Sequence, residues 1–432
     1  MNGVAEPWFR WEMDLEGTIQ GVGFRPAVHR LAHGAGLHGS VENRSGGVHL
    51  VLIGPEHALH RFLEILPDRL PVHARLERVT VTSRTPVAAS AGSGFQIRPG
   101  TSESVGRISI PPDLVVCAAC LAEIMDPGNR RYGYPFTSCT QCGPRCTVLE
   151  RLPYDRANTS LHRFPLCREC LAEYENPQDR RFHAESTACP VCGPKTVLLN
   201  SDGTPRDDQG MGAARRALGA EKILAVRGLG GFQLVVDPLR GDAVQALRRR
   251  KGRPHKPLAV IARSLAVVRS LCPLTRPQED ILQHPSGPIL VLDLPCLNES
   301  GGWGEGVMPT GGPARTAAPR FCWDLLTPDS HTLGIMLPTT PLHHLLFHPL
   351  AGDDVPPFDL LVVTSGNRSG EPLCMETQRL KRPWHDWALS LICSCVTTGT
   401  SCAAPTTPFV SSRTMGLRSG AVPGAWCLKP CA

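Results

Sequence analysis

The sequence predicts a multidomain α+β protein built from three unlike parts. The first hundred residues read as βαββαβ, the order of a ferredoxin-like sandwich. A block of cysteines between residues 116 and 196 then repeats itself at a fixed offset of 50. Beyond residue 207, short apolar runs alternate with helical stretches, as in a mostly buried mixed α/β sheet. A chain of 432 residues is long enough to give each part its own core.

The first part is expected over residues 9–98. Phe9 to Ile19 alternates loosely, as a strand does. Phe24, Val28, Leu31, Ala32 and Ala35 recur at helical spacing, and Gly36 stops that helix. A strand over Val48–Ile53, a helix over Glu56–Leu66 and strands over Leu76–Val81 and Phe95–Ile97 complete it. The loop Gln20-Gly21-Val22-Gly23-Phe24-Arg25 joins the first strand to the first helix. Its glycines let successive N–H groups converge at a helix N-terminus, where the dipole favours an anion, and Arg25 adds a bidentate clamp for phosphate. His29, His33 and His38 read as surface or packing residues.

Residues 99–115 read as a linker to the cysteine region, 116–196. Cys117/Cys120 and Cys139/Cys142 form two CxxC pairs, and Cys167/Cys170 and Cys189/Cys192 repeat them 50 positions on. The segments between agree too, CLAEIMDPGNRR against CLAEYENPQDRR, so the region is an internal duplication. Two CxxC turns close a tetrahedron of thiolates at about 2.3 Å from a zinc ion. Eight thiolates therefore predict two structural zinc ions with no open coordination position. Spacing alone leaves open whether each repeat holds its own ion or the pairs interleave. Cys146 falls outside the pattern and reads as a small core residue.

The third part is expected over residues 207–376, with strands at Ile223–Val226, Phe232–Val236, Pro257–Ile261, Pro288–Leu292, Leu333–Leu337 and Asp359–Val363. Six cations crowd the nine residues from Arg248 to Lys256, just before a strand. A charge run is usually a solvated face. Here a second polar loop, Thr364 to Gly370, follows a buried strand, and loops at strand ends are where ligands sit in α/β sheets. Lys251, Arg253 and Lys256, with Thr364, Ser365, Asn367 and Ser369, would suit a triphosphate.

Composition narrows the function classes. The formal charge is +6, and eight thiolates with two dications contribute −4, which lowers it to +2. Aromatic residues make up 5 %, few for stacking on bases, so nucleic acid is not the expected partner. Apolar runs reach about ten residues, too short to cross a bilayer, and there is no signal-peptide core, so the expectation is a cytoplasmic protein without a membrane partner.

Beyond these physical readings, three sets of motifs carry a resemblance. The segment GTIQGVGFRPAVHRLAHGAGLHGSVENRSGGVHL resembles the acylphosphatase signature. In that family the arginine binds the acyl phosphate and an asparagine orients the attacking water, which implies Arg25 and Asn43 as catalytic residues. Gln20, Gly21, Val22, Gly23 and Phe24 then form the phosphate loop. KGRPHKPLAVIA, LGIMLPTTPLHHLL and TSGNRSGEPL resemble the YrdC-type nucleotide-binding domain. Together with RRYGYPFTSCTQCGPRCT, PYDRANTSLHRFPLCREC and RRFHAESTACPVCGP, in this order, they resemble the HypF carbamoyltransferase family of nickel–iron hydrogenase maturation, over residues from about 10 to about 376.

The resemblance implies an enzyme that hydrolyses carbamoyl phosphate and channels the carbamate inward. It then spends ATP, with magnesium, to form carbamoyl-adenylate, and the partner is HypE, whose C-terminal cysteine takes the carbamoyl group. A threonylcarbamoyl-adenylate synthase acting on tRNA is the alternative enzyme, and a zinc-built RNA-binding scaffold the alternative without turnover. The Arg25/Asn43 module and the cysteine repeat argue against the first, the scarcity of aromatics against the second.

The chain also departs from the family. Thr339 stands where a tyrosine is usual and Arg227 where a lysine is usual. Residues 296–330 are rich in Gly and Pro and read as an inserted loop. After Asp386 there is no acidic residue, yet five cysteines follow. Residues 387–432 are therefore expected to be a frameshifted or truncated, mostly disordered tail, with Cys393 and Cys395 not ligands and the transferase domain missing.

Overall fold

The computed structural model describes residues 6–89, 92–104, 111–206, 210–228, 230–294 and 321–374, and the backbone of 388–393 and 409–411. In the N-terminal part, β1 (Trp8–Thr18) and α1 (Phe24–Gly34) are followed by β2 (His38–Ser45), β3 (Gly47–Pro55), α2 (Glu56–Ile65), β4 (Arg75–Val87) and β5 (Phe95–Ser104). The sheet order is β4-β1-β3-β2-β5, antiparallel except where β2 meets β5. Alternation in β1 drives Trp11, Met13 and Leu15 into the core, where Phe24, Val28 and Ala32 of α1 and Leu59 and Phe62 of α2 meet them. The order βαββαβ calls for two strands between the helices, but β2 has no apolar run of its own by which the sequence reading could place it. HGSVENRS has one large apolar residue, Val41, and it is held by its neighbours on both sides.

In the cysteine region, α3 (Ala118–Met125) and α4 (Arg168–Glu175) start directly after Cys117 and Cys167. Short 3-10 turns and loops supply the rest. The third part contains β6 (Thr196–Leu199), α5 (Gly210–Gly219), β7 (Ile223–Gly228), β8 (Gly231–Val236), α6 (Gly241–Lys251), β9 (Val260–Ala262), α7 (Leu265–Leu271) and α8 (Arg276–Leu282). Then come β10 (Ile289–Asp293), α9 (Trp323–Leu326), β11 (Thr332–Met336), α10 (Pro341–Phe347), β12 (Leu360–Ser365), β13 (Ala388–Cys393) and β14 (Phe409–Ser411). They form one mixed nine-stranded sheet, β14-β10-β11-β9-β12-β8-β7-β13-β6.

Both faces of that sheet are covered, which is why its strands are continuously apolar. In β7, Ile223 and Ala225 face one core, while Leu224 and Val226 face the other. The second core also takes Ile124 from α3, so the cysteine region is anchored to the sheet by the apolar face of its own helix.

The sheet reaches beyond the expected limits of 207–376. Residues 388–393, inside the stretch expected to be a disordered tail, run parallel to β7 and antiparallel to β6, and 409–411 run beside β10. That expectation fails for these two segments, because the edges of β7 and β10 leave backbone groups for a further strand to pair. Cys395 and the Gly/Pro-rich run from 296 to 320 lie outside the described residues. No helix among the described residues is long and apolar enough to cross a membrane.

Candidate functional site

The loop between β1 and α1 is built as the glycines require. Gly21 and Gly23 have φ of +67° and +80°, a conformation that costs an L side chain about 1–2 kcal/mol. Among the described residues no hydrogen bond is made by the N–H groups of Gly21, Val22 or Gly23. Val22 and Phe24 turn their side chains into the core and so fix the loop from behind. The Gln20 side chain is fully engaged, donating to the carbonyls of Arg44 (2.6 Å) and Gly47 (2.7 Å) and accepting from the Tyr154 N–H (2.9 Å). It braces the loop.

Arg25 is buried, 7 % exposed, and its Nη2 lies 2.6 Å from both Asp155 Oδ1 and Glu185 Oε1. Burial works to lower its pKa, but the two carboxylates outweigh this and hold it above the ordinary value. Asn43, fully buried on β2, donates through Nδ2 to the Tyr154 carbonyl (2.8 Å) and to Asp155 Oδ1 (3.0 Å). A carbonyl only accepts, so these partners fix which end of the amide is nitrogen. The opposite end, Oδ1, is buried without a partner.

The histidines stay apart from this chemistry. His29 packs against Phe95 and Phe182, and burial followed by His33 lowers its pKa. His38 stacks on Trp8 and accepts from the Gly94 N–H.

The eight cysteines resolve into two clusters, one per repeat: Cys117, Cys120, Cys139 and Cys142, and Cys167, Cys170, Cys189 and Cys192. Sulfur–sulfur separations of 3.7 Å (Cys117–Cys139), 3.8 Å (Cys139–Cys142), 3.7 Å (Cys167–Cys189) and 3.7 Å (Cys189–Cys192) were found. A tetrahedron with zinc–sulfur bonds of about 2.3 Å has edges of about 3.8 Å. The donor set and its size fit zinc, and the pairs do not interleave. Cys146 is half-buried.

What does interleave is the shell around the sulfurs. Arg130 and Arg131, from the first repeat, reach Cys170 Sγ of the second at 3.2 and 3.6 Å and pair with Glu173. Arg180 and Arg181, from the second repeat, reach Cys120 Sγ of the first at 3.1 and 3.9 Å and pair with Glu123. The Arg131 Nε–H donates to the Ala188 carbonyl and the Arg181 Nε–H to the Ser138 carbonyl, each just before a ligating cysteine. With a dication each four-thiolate cluster would carry −2, and two arginines of the other repeat stand against that charge. The signal was in the sequence: GNRR and QDRR recur at the same offset of 50.

In the third part, α6 ends at Gly252, whose φ of +61° turns the chain. The basic run then divides. Arg248 is structural, its guanidinium donating to the carbonyls of Leu325, Leu326, Arg253, Pro254 and Lys256. The buried Lys251 ammonium reaches Ser365 O and Oγ and Asn367 O and Oδ1, at 2.5, 3.3, 2.8 and 2.9 Å. Burial, then Arg253 beside it, bring its pKa down to about 8, so it is charged at neutral pH. The Ser369 N–H donates to the Lys251 carbonyl and Arg253 donates to Thr364 Oγ1. Thus Lys251, Arg253, Thr364, Ser365, Asn367 and Ser369 come together, while the Lys256 side chain stays exposed. Behind them His343 Nε2 meets Gln233 Oε1 at 3.0 Å, and burial lowers the histidine to about 4. Arg227 is buried over the Phe232 ring.

Comparison with known proteins agrees with this division. Residues 11–97 match the acylphosphatase family, 116–149 and 166–199 each match the HypF finger, and 216–299 with 312–398 match the family described as Telomere recombination, which includes YrdC. Fold and site therefore define an acylphosphatase-type domain joined through two four-cysteine fingers to a YrdC-type sheet.

The carbamoyltransferase HypF of Rhodobacter capsulatus is 41 % identical over 364 residues, covering 84 % of this chain and 44 % of that protein. The crystal structure of full-length HypF in the phosphate- and nucleotide-bound form superposes with a TM-score of 0.76 at 33 % identity, over 92 % of this chain and 48 % of that one. An acylphosphatase of Deinococcus radiodurans is 47 % identical over 66 residues, 15 % of this chain and 75 % of that protein. The chain belongs to the HypF family. It spans less than half the length of the curated HypF relatives it matches.

Proposed function

We propose that this chain carries the opening steps of a HypF reaction. Water attacks carbamoyl phosphate at the Arg25/Asn43 site, giving carbamate and phosphate. The carbamate then attacks ATP in the YrdC-type domain, giving carbamoyl-adenylate and pyrophosphate. An acyl phosphate is already activated, so the first step needs charge neutralisation and a positioned water, with no nucleophilic side chain. Arg25 supplies the charge with the free amides of the glycine loop, and the Asn43 amide oxygen takes a hydrogen bond from the water.

ATP, with magnesium, is read onto Lys251, Arg253 and the Thr364–Ser369 loop. The resemblance to HypF supports HypE as the acceptor protein. The two cysteine clusters would each hold one zinc ion, as structural centres.

The observation that carries this reading is the buried, unpartnered Asn43 Oδ1 together with an arginine at a glycine loop whose N–H groups make no hydrogen bond among the described residues. Phosphate release from carbamoyl phosphate by the whole chain tests it. Arg25→Ala is expected to reduce release at least about 30-fold, the equivalent of about 2 kcal/mol of lost charge stabilisation. Asn43→Ala should lower turnover more than binding. Release unchanged in Arg25→Ala would reject the site.

A further inference from the structure

Two carboxylates in this site come from outside the part that resembles an acylphosphatase. That match ends at residue 97, whereas Asp155 and Glu185 belong to the cysteine region. Asp155 Oδ1 receives both Arg25 Nη2 (2.6 Å) and Asn43 Nδ2 (3.0 Å), and its Oδ2 receives the Gly100 N–H (2.6 Å). One carboxylate thus ties together the two residues assigned to phosphate and water. Glu185 Oε1 takes the same Arg25 nitrogen, and its Oε2 is held by the Tyr174 hydroxyl (2.8 Å) and the Arg156 N–H (3.0 Å). Both side chains are largely buried, 14 % and 3 % exposed, so neither is a solvated surface partner.

We infer that Asp155 and Glu185 are positioning residues of the phosphatase site, supplied by the cysteine region and opposed to retention of phosphate. This rests on the hydrolytic role proposed for Arg25 and Asn43. Asp155 fixes the Asn43 amide so that Oδ1, not Nδ2, is presented to the attacking water. The carboxylate pair holds Arg25 in place before substrate arrives and competes with phosphate for Nη2. Asp155 and Glu185, the latter with its pKa raised by burial against the pull of Arg25, compete with phosphate for one guanidinium, so the product leaves once its bond to carbamate is broken. A stand-alone acylphosphatase domain ending before residue 155 has no such pair. Here the hydrolytic geometry depends on a region whose own fold depends on its cysteines.

Asp155→Asn and Glu185→Gln, made in the full chain, test this with three readouts: kcat and KM on carbamoyl phosphate, inorganic phosphate affinity by titration calorimetry, and zinc content. Asp155→Asn should lower kcat between about 10- and 100-fold, as for a misplaced catalytic group, with KM within about threefold. Both variants should bind inorganic phosphate more tightly than the native chain, at least about threefold, because the acid that competes for Arg25 Nη2 is replaced by a neutral amide. Zinc content should not change.

A residue that merely stabilised the fold would lower phosphate affinity along with turnover. Unchanged or weaker phosphate binding in both variants, with zinc retained, would overturn the inference, as would an unchanged kcat in Asp155→Asn. Should Asp155→Asn lose zinc, Glu185→Gln decides alone. If the native chain turns over no carbamoyl phosphate, the hydrolytic reading fails, and phosphate affinity still decides whether the carboxylates compete for Arg25.

Discussion

Replacing Arg131 with alanine should loosen the metal centre of the other repeat. Arg131 is 2 % exposed. Its guanidinium donates to both oxygens of Glu173, at 3.0 and 2.5 Å, to the Ala188 carbonyl at 3.0 Å and to Cys170 Sγ at 3.6 Å. Breaking a buried ion pair by removing one partner costs about 3–5 kcal/mol. Glu173 keeps Arg130 and part of its hydration, with 21 % of its side chain exposed, so a loss discounted to about 2–3 kcal/mol is expected. Groups that orient and neutralise metal ligands are typically worth 10- to 100-fold in metal affinity, or about 1.4–2.8 kcal/mol, which agrees.

The assay is competition between the zinc-loaded chain and a chromophoric chelator, with thiol alkylation read by mass spectrometry to show which cysteines open first. Arg131→Ala should expose Cys167, Cys170, Cys189 and Cys192 ahead of the first cluster. Arg181→Ala should do the reverse, exposing Cys117, Cys120, Cys139 and Cys142. Opening of the cluster in the mutated repeat itself, or of both equally, would refute the reciprocal exchange.

Other expectations follow from the same geometry. The chain should contain about two zinc ions, and Cys139→Ser or Cys189→Ser should unfold the middle region, as read by circular dichroism and limited proteolysis, because structural metal binding contributes to folding directly. Gly23→Ala should weaken phosphate binding while the domain stays folded. Its φ of +80° costs an alanine about 1–2 kcal/mol, and the new Cβ would sit 3.3 Å from Thr140 Cβ. With the Lys251 pKa lowered to about 8 by burial and Arg253, ATP affinity should be constant below that pH and fall above it as the ammonium loses its charge. Lys251→Met should bind ATP weakly with no such pH dependence, measured by titration calorimetry across pH 7–10.

The cysteine region was the most legible part of the chain, since ligand identity and spacing are themselves the chemistry. Pairing within each repeat needed the coordinates, because a turn of two intervening residues fits either partner equally well. Arg25 was readable from its glycine loop. Asp155 and Glu185 were not, as each is a lone acid in a loop 130 or more positions away, and only the packing of one region on another brings them to it. Local pattern also failed for β2, whose polar residues are held by the strands on either side, and for β6 and β13, which pair with each other. The basic run looked uniform in sequence, but burial separates Arg248, which binds carbonyls, from Lys251, which faces the second loop.

The central claim is that one chain couples an acyl-phosphate site to an adenylating site. Exchange of labelled pyrophosphate into ATP tests it most directly, measured with and without carbamoyl phosphate in the native chain, Arg25→Ala and Lys251→Met. Exchange should require carbamoyl phosphate, disappear in Lys251→Met, and fall in Arg25→Ala in proportion to the loss of phosphate release. Exchange that proceeds equally well without carbamoyl phosphate, or that survives intact in Arg25→Ala, would contradict the coupling.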